Sequence, residues 1–388
     1  MPESLEPDNN NFNVMLLLTL GGSLEAWHNA GHAARELRYY GLIAQKVKQV
    51  SVLTYGFKDY QYKETWSPMR ILHRLGCIQH YYKYAVVAPF YYWRAFRQAN
   101  IVKSNQSIGS LVALVGKMIR PSLKMVVRCG WVRTKETIIS EQKKSGLSLK
   151  VSLFAEWLAF NTANAVITVT ESDAQYIVDH YHVNRSKITV VPNAVDEDIL
   201  FYRIEPTDLS SKIRILLVGR LVEMKNFDRV IDAAAAIDRD IEISIAGEGP
   251  LRNQLNDLAQ QKGVSVTFLG SVENDEMVHV YHRHDLLLLT EAWGSGMPKV
   301  LLEAMSAGIP ILASRTRSAQ QIMRNEENGF CCNAELDDQI RALNHILSQP
   351  VALIERIREQ ARRDVEQKYS MKSCVEQELA LYRRLLVR

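Results

Sequence analysis

The sequence has few cysteines and no long apolar run, and both shortages narrow the class of protein. Its five cysteines form no CxxC pair and are odd in number; they are Cys77, Cys129, Cys331, Cys332 and Cys374. This pattern indicates neither a disulfide framework nor a zinc site, so we expect a reducing compartment, the cytoplasm. No window holds about 18 uninterrupted apolar residues, which argues against a membrane-spanning helix. The polar, acidic residues 1–12 do not have the pattern of a signal peptide and predict a disordered lead-in.

The charge is unevenly distributed along the 388 residues. From Lys58 to Lys150 there are 17 Lys and Arg against 4 Asp and Glu, a balance of +13, so the rest of the chain carries 4 − 13 = −9. A basic block of this kind favours an anionic partner, although a solvated face with phosphate contacts would look the same. We expect no nucleic-acid partner.

Short apolar strands alternate with helical segments in two successive sets. The first set runs from Asn13 to Asn193 and the second from Lys212 to Ser314. Such alternation predicts an α/β protein with two Rossmann-like, doubly wound parallel sheets. Polar residues 201–211 separate the sets and predict a linker, so we expect domains over residues 1–200 and 212–365, followed by a closing helix over 366–388.

Ligands of open α/β sheets bind beyond the carboxyl ends of the strands, so the residues that follow each strand are candidates. Gly219 and Arg220 follow the first strand of the second set, and Lys225 lies five residues later. Two cations beside a helix start would stabilise a departing diphosphate; the alternative is a pair of surface cations. Gly270 follows the third strand, where its backbone could edge a nucleotide base.

The densest segment is LLLLTEAWGSGMPKVLLEAMSAGIPILAS, residues Leu286 to Ser314. A strand leads into a glycine-containing loop and then into a helix that we expect to start near Pro298, because proline is favoured in the first helical turn. Glu303 lies on that helix. Its carboxylate could accept hydrogen bonds from ribose hydroxyls, although a lone helical glutamate is more often a solvated side chain.

Four runs in this order and spacing resemble the retaining glycosyltransferases of family 4, also called group 1: GRLVEMKN, IAGEGPLR, FLGSV and GMPKVLLEAMSAGIPILAS. The resemblance is strong over residues 187–330 and weaker in the first domain. It implies the GT-B fold, in which two Rossmann-like domains face each other across a cleft. It further implies that the first domain binds the acceptor, that the second binds the nucleotide-sugar, and that the closing helix packs back on the first.

By the same resemblance, the chain would transfer a hexose from a UDP- or GDP-sugar to a glycan or lipid-linked acceptor, with retention of configuration, in envelope polysaccharide or glycolipid synthesis. Arg220 and Lys225 would hold the diphosphate, and Glu303 the ribose. No metal or other cofactor is expected. The remaining donor-binding positions implied are Gly22, Gly219, Gly270, Gly296, Met297, Lys299 and Val300.

Two positions depart from the family pattern. Ser295 stands where the family has the first of two glutamates, and Glu291 could substitute for it. Cys129 stands where the family often has a histidine. An inactive subunit that binds a nucleotide-sugar therefore stays open. A nucleotide-sugar epimerase stays open as well, because such enzymes have a similar two-domain shape. Two further patterns are discounted as metal sites: the DxD at Asp238 to Asp240, which precedes a strand, and a histidine cluster without carboxylate partners, His279, His282 and His284.

The segment Gln79 to Arg97 mixes aromatic and basic residues within the basic block. Such a surface predicts reversible docking on an anionic membrane, on its inner face, by residues that could also meet the acceptor. The alternative is a buried aromatic helix with cations at its rim. The residues concerned are Tyr82, Lys83, Trp93, Arg94 and Arg97.

Overall fold

The computed structural model describes residues 10–29, 31, 33–76, 78–132, 134–135, 146–292 and 297–387. The chain divides into two compact units. Met1–Pro192 and Cys374–Arg388 form the first unit, and Asn193–Ser373 form the second. Each unit has its own buried apolar core.

The first unit is built on a parallel sheet, with seven strands among the described residues. The strand order is β3-β2-β1-β4-β5-β6-β7, with the crossover typical of a Rossmann-like sheet. Most of the strand residues are apolar and buried, as expected for a sheet covered on both faces. The strands are β1 Asn13–Leu17, β2 Gln49–Leu53, β3 Arg70–Leu72, β4 Ile101–Ser104, β5 Lys124–Cys129, β6 Ala165–Thr168 and β7 Ile188–Val190.

Helices connect these strands: α1 Leu24–Asn29, α2 Ala33–Ala44, α3 Tyr81–Tyr91, α4 Trp93–Gln98, α5 Ser110–Ile119, α6 Gly146–Thr162 and α7 Glu171–Tyr181. The sequence predicts one helix from about Ala26 to Tyr40, whereas the structure has α1 and α2. The chain between them passes through Gly31, whose φ of +67° lies in the left-handed region. That conformation interrupts a right-handed helix.

The second unit repeats the architecture with six parallel strands in the described residues, in the order β10-β9-β8-β11-β12-β13. The strands are β8 Ile213–Val218, β9 Ile241–Ala246, β10 Ser265–Gly270, β11 Leu286–Leu289, β12 Ile311–Ser314 and β13 Phe330–Cys332. The helices are α8 Phe227–Ala235, α9 Arg252–Lys262, α10 Met277–His282, α11 Lys299–Ala307, α12 Leu336–Leu347 and α13 Val351–Asp364. The predicted fold class of two Rossmann-like, doubly wound sheets is confirmed.

The structure divides the chain at a different place from the predicted linker. Residues 201–211 lie within the second unit, which begins at Asn193. Arg203 explains why this polar segment is held there: it is buried, and its guanidinium donates to the carbonyl of His284 at 2.8 Å and to Thr207 Oγ1 at 3.0 Å.

The last helix, α14 Met371–Val387, follows a short π-helical turn over Val365–Tyr369. From Cys374 onward it belongs to the first unit. Glu378 on this helix is completely buried and accepts from Lys103 Nζ of β4 at 2.6 Å and from Tyr39 Oη at 2.8 Å. A buried ion pair therefore ties the last helix to the sheet of the first unit.

We predicted a disordered lead-in over residues 1–12. Residues 1–9 lie outside the described residues, and residues 10–12 are ordered by contacts with the last helix. Phe12 is buried, with its ring edge-on to that of Tyr382, and Asn10 accepts from Arg383 at 2.9 Å. These contacts with α14 hold the segment in place. Among the described residues, no helix combines the length and the apolar character that crossing a membrane requires.

Candidate active site

The carboxyl edge of the second sheet brings two glycines into direct backbone contact. Gly219 follows β8 and Gly247 follows β9, with φ of +148° and +146°. A Cβ added to Gly247 would lie only 1.9 Å from the carbonyl oxygen of Gly219. Gly219 N–H also donates to Ala246 O at 2.9 Å. The two loops can approach this closely because Gly247 has no side chain.

The two predicted diphosphate-binding cations follow β8 but differ in their surroundings. Lys225 ends a short 3₁₀ turn, Glu223–Lys225, and its side chain lies over Gly219, where an added Cβ would be 3.2 Å from Nζ. Lys225 Nζ forms a mostly buried ion pair with Glu291. Arg220 is exposed, and no described carboxylate pairs with it.

Hydrogen bonds hold the loop that follows β8 against the end of β11. Asn226 Nδ2 donates to Thr290 O at 3.0 Å, and Thr290 Oγ1 donates to Lys225 O at 3.1 Å. Ala292 N–H donates to Met224 O at 3.0 Å. These bonds bring Glu291 to Lys225. The sequence singled out both residues but not their contact, because pairing between these loops depends on the order of the strands.

Glu303 lies on α11, which begins just after Pro298 as predicted. Its carboxylate accepts from Tyr281 Oη of α10 at 3.0 Å. Burial raises the pKa of Tyr281 well above its ordinary value, and the adjacent Glu303 raises it further. The phenol therefore stays protonated and acts as a fixed donor to Glu303. Sequence reasoning missed Tyr281, whose only signal is its place in the helix before β11.

The other predicted donor-binding residues of the second unit surround this edge. Gly270 ends β10, and its carbonyl accepts from Gly247 N–H at 2.7 Å. Met297 is buried, and its carbonyl accepts from Asn193 Nδ2 at 3.0 Å. Lys299 and Val300 are half-buried in the first turn of α11. Gly296 and Ser295 lie outside the described residues.

Gly22 lies in the tight turn after β1, where its N–H donates to Thr19 O at 2.7 Å. The helix that follows is capped from within the protein: Asp59 is completely buried, and its carboxylate accepts from the N–H groups of Leu24 and Glu25 at 2.9 and 3.3 Å. These first amides of α1 already have an anionic partner. Asp59 is a second residue that the sequence did not reveal.

Cys129 ends β5 and is completely buried, with Sγ donating to Trp131 O at 3.0 Å. Burial raises the pKa of this thiol well above its ordinary value. A thiol that resists ionisation is a poor nucleophile. Cys129 therefore does not replace the histidine of the family pattern as a proton acceptor.

The predicted docking residues are all exposed on α3 and α4: Tyr82, Lys83, Trp93, Arg94 and Arg97. The guanidinium groups of Arg94 and Arg97 lie 5.6 and 5.8 Å from the ring centroid of Trp93. The alternative was a buried aromatic helix. In the structure α3 is buried only on its opposite side, by residues such as Tyr84 and Ala88.

The two discounted patterns lie away from this edge or have other partners. Asp238 and Asp240 precede β9, at the amino end of the sheet. His282 contacts Phe201 O at 2.9 Å, and His284 contacts Val280 O at 2.6 Å. No group of three His, Cys, Asp or Glu able to hold a metal ion occurs in the part of the chain that the structure describes.

Two family comparisons together match most of the chain. Residues 203–364 match the glycosyl transferases group 1, and residues 41–199 match glycosyltransferase family 4.

The similar proteins found by sequence are also named as glycosyltransferases. An uncharacterised glycosyltransferase of Methanocaldococcus jannaschii is 29% identical over 244 residues, 59% of this chain and 62% of the relative. A UDP-Gal:α-D-GlcNAc-diphosphoundecaprenol α-1,3-galactosyltransferase of Escherichia coli is 27% identical over 219 residues, 52% of this chain and 56% of the relative. The match thus spans less than two thirds of these relatives.

Solved structures agree over the whole fold. A glycosyltransferase from Rickettsia africae superposes with a TM-score of 0.75 at 14% identity, over 97% of this chain and 99% of that one. At this identity the likeness concerns the fold alone.

Proposed function

The chain belongs to the group 1 glycosyltransferases, and on that premise we propose that it transfers a hexose from a UDP- or GDP-sugar to a glycan or lipid-linked acceptor. The E. coli relative uses UDP-galactose and a lipid diphosphate acceptor by its name. A relative from Campylobacter jejuni is 27% identical over 209 residues, 52% of this chain and 55% of the relative. It is named as an α-1,4-N-acetyl-D-galactosaminyltransferase, and its name gives a saccharide on diphosphoundecaprenol as the acceptor. Both names favour envelope polysaccharide or glycolipid synthesis as the setting.

The observation that carries the proposal is the pair of cations after β8, beside a glycine that leaves room at the sheet edge. A nucleoside diphosphate leaves with negative charge on its oxygens, and preorganised cations stabilise that charge as it develops. Arg220 would supply a guanidinium suited to two phosphate oxygens. Lys225 would supply a second charge from a side chain already held in place by Glu291.

Glu303 would accept hydrogen bonds from ribose hydroxyls. One of its carboxylate oxygens accepts from Tyr281, which fixes the group and leaves acceptor capacity for a ligand. Gly219, Gly270, Met297, Lys299 and Val300 would line the donor. No metal is required in this scheme, in which the two cations would stabilise the charge of the departing diphosphate.

We propose that the anomeric configuration is retained. Among the described residues, no side chain of the predicted site is set up as a nucleophile, and the thiol of Cys129 is protonated and buried. The acceptor would attack from the face that the diphosphate leaves. An oxygen of the departing phosphate would take the proton of the acceptor hydroxyl, so the bond to the new oxygen forms as the bond to phosphate breaks.

The test is turnover of labelled UDP- and GDP-hexoses with and without a polyprenyl diphosphate-linked sugar. A thermal-shift panel first selects the donor, since a bound ligand stabilises the folded protein. We expect release of nucleoside diphosphate together with an α-linked product from an α-linked donor, unchanged by a chelator. An altered sugar on an intact nucleotide would identify an epimerase instead, and binding without either product would identify an inactive subunit.

A further inference from the structure

The first unit exposes apolar side chains on three helices that neighbour one another. Helix α3 packs beside α5, and α5 beside α6. On α3, the exposed side chains include Tyr82, Val86 and Phe90. They are spaced four residues apart and so share one side of the helix. Phe90 remains 51% exposed.

The other two helices extend this surface. Met118 of α5 is 75% exposed, and Leu111, about two helical turns earlier on the same helix, is also exposed. On α6, Val151, Phe154 and Trp157 are exposed, and the rings of the last two stack with centroids 5.9 Å apart. Helices that cover a sheet normally turn a polar face to solvent. An exposed apolar surface on adjacent helices indicates a site for a partner.

The exposed charged residues that the structure describes on α3, α4, α5 and α6 have one sign. The chain has no Asp or Glu between Glu64 and Glu136, a stretch that contains twelve Lys and Arg. The one acid of α6, Glu156, is buried and accepts from Thr134 Oγ1 at 2.6 Å and Tyr181 Oη at 2.7 Å. The exposed charged residues on α3, α4 and α6 are therefore cationic: Lys83, Arg94, Arg97 and Lys150.

We propose that α3, α5 and α6 form a docking face for the surface of an anionic phospholipid bilayer. The aromatic side chains would lie at the level of the headgroups, where Trp and Tyr are favoured, and the cations would meet lipid phosphates. A second copy of this chain would bring unpaired cations against cations, which opposes association. The face extends the predicted segment Gln79 to Arg97 by two helices, and it does not depend on which sugar is transferred.

The test is co-sedimentation of the full chain with vesicles of phosphatidylcholine, with and without phosphatidylglycerol. Binding is expected only when phosphatidylglycerol is present. It should weaken when the salt is raised from about 0.01 M to about 1 M, because the screening length falls from about 30 Å to about 3 Å. Lys83→Gln should lower the partition coefficient about fivefold, the effect of about 1 kcal/mol per basic residue.

The apolar part of the proposal has its own variants. Phe90→Glu and Phe154→Glu should each lower partitioning about tenfold or more, since each withdraws a large side chain from the interface. Ile204→Glu is the matched control: Ile204 is 85% exposed in the second unit, so binding should be unchanged. Circular dichroism checks that each variant is folded.

Three results would overturn the docking face. One is wild-type protein that stays in the supernatant with phosphatidylglycerol vesicles at low salt. Another is equal sedimentation of wild type and of a double variant that carries both Phe90→Glu and Phe154→Glu. The third is a dimer, seen by light scattering, that this same variant converts to monomer. None of these results bears on the proposed sugar transfer, which is measured separately, by release of nucleoside diphosphate in an assay without vesicles.

Discussion

Lys225 places its ammonium group against the buried carboxylate of Glu291, 66 residues further along the chain. The charge of Lys225 is therefore partly balanced before any donor is present, whereas Arg220 is exposed to solvent. The two cations look equivalent in the sequence. In the structure they differ in burial, in ion pairing and in what is left behind when each is removed.

Arg220→Ala and Lys225→Ala should each reduce kcat/KM about a hundredfold or more, since loss of one preorganised donor to a developing anion costs about 3 kcal/mol. Arg341→Ala is the control, because Arg341 is an exposed arginine of the same unit in an i,i+3 pair with Asp338. Steady-state kinetics with the donor selected above measures the effect. Wild-type activity in the variant lacking both cations would place the diphosphate site elsewhere.

Glu291→Gln should lower activity about tenfold, because Lys225 loses the anion that orients it. The Lys225→Ala variant leaves Glu291 as an unpaired carboxylate near the diphosphate. Adding Glu291→Gln to that variant should therefore restore part of its donor affinity. The expected coupling between the two sites is about 0.5–3 kcal/mol, measured as a double-mutant cycle by calorimetry. Additive losses would mean that the ion pair has no part in donor binding.

Glu303→Gln should weaken nucleotide binding strongly, because an amide offers one acceptor oxygen in place of two. Tyr281→Phe removes only the donor that holds Glu303, so we expect a smaller loss of about 1 kcal/mol, or about fivefold. Titration with the nucleoside diphosphate and with inorganic diphosphate separates the contribution of the ribose from that of the diphosphate. Both variants should bind inorganic diphosphate like wild type. Unchanged nucleotide affinity in Glu303→Gln would contradict the ribose assignment.

Gly247→Ala should destabilise the second unit and abolish donor binding, because its Cβ would lie 1.9 Å from the carbonyl oxygen of Gly219 at a φ of +146°. Gly41→Ala is the matched control. Gly41 lies within α2, and an added Cβ has nothing within 4 Å, so the change should stabilise that helix by about 1 kcal/mol. Thermal unfolding compares the two. A Gly247→Ala protein of wild-type stability would mean that the two loops separate at little cost.

Glu378→Gln should destabilise the protein in a pH-dependent way. Burial opposes ionisation of Glu378, but Lys103 and the hydroxyls of Tyr382 and Tyr39 outweigh it and hold the pKa below its ordinary value of 4.5. A carboxyl with a lowered pKa contributes stability above that ordinary value and loses it as the pH falls through the folded-state pKa. The difference from wild type should therefore be largest near neutral pH and shrink in acid.

At neutral pH we expect a cost of about 3–5 kcal/mol, typical of leaving a buried charge unpaired. Glu376→Gln on the same helix is the control, since its ion pair with Lys46 is half-exposed and should contribute about 0–1 kcal/mol. Urea unfolding between neutral and acid pH measures both. A constant difference across that range would rule out ionised Glu378 as its source.

The fold could be predicted because its signals are local. Apolar strands such as residues 214–218 and 286–289 are followed directly by loops and helices, and this alternation is typical of parallel α/β sheets. The start of α11 after Pro298 was predicted for the same reason. The candidate cations, Arg220 and Lys225, were found because the loop after a strand is a fixed place in this architecture.

The contacts between distant segments could not be predicted. Tyr281 and Asp59 act on Glu303 and on the start of α1 through packing that no local pattern specifies. The exposed side of α6 was missed for another reason: its sequence is apolar on both sides, and composition does not say which side a core covers. The placement of residues 201–211 turned on one buried arginine, Arg203, in a segment that otherwise reads as polar.

The buried pair of Lys103 and Glu378 has a consequence for the order of synthesis. A ribosome makes Lys103 early and Glu378 only after the whole second unit, residues 193–373, has been translated. Domains generally fold as they emerge, but the sheet of the first unit would then enclose a lysine without its counter-ion. The second unit can fold while the chain is still growing. The first reaches its final packing only when residues 374–388 arrive, so removing those residues would damage the half of the protein that is made first.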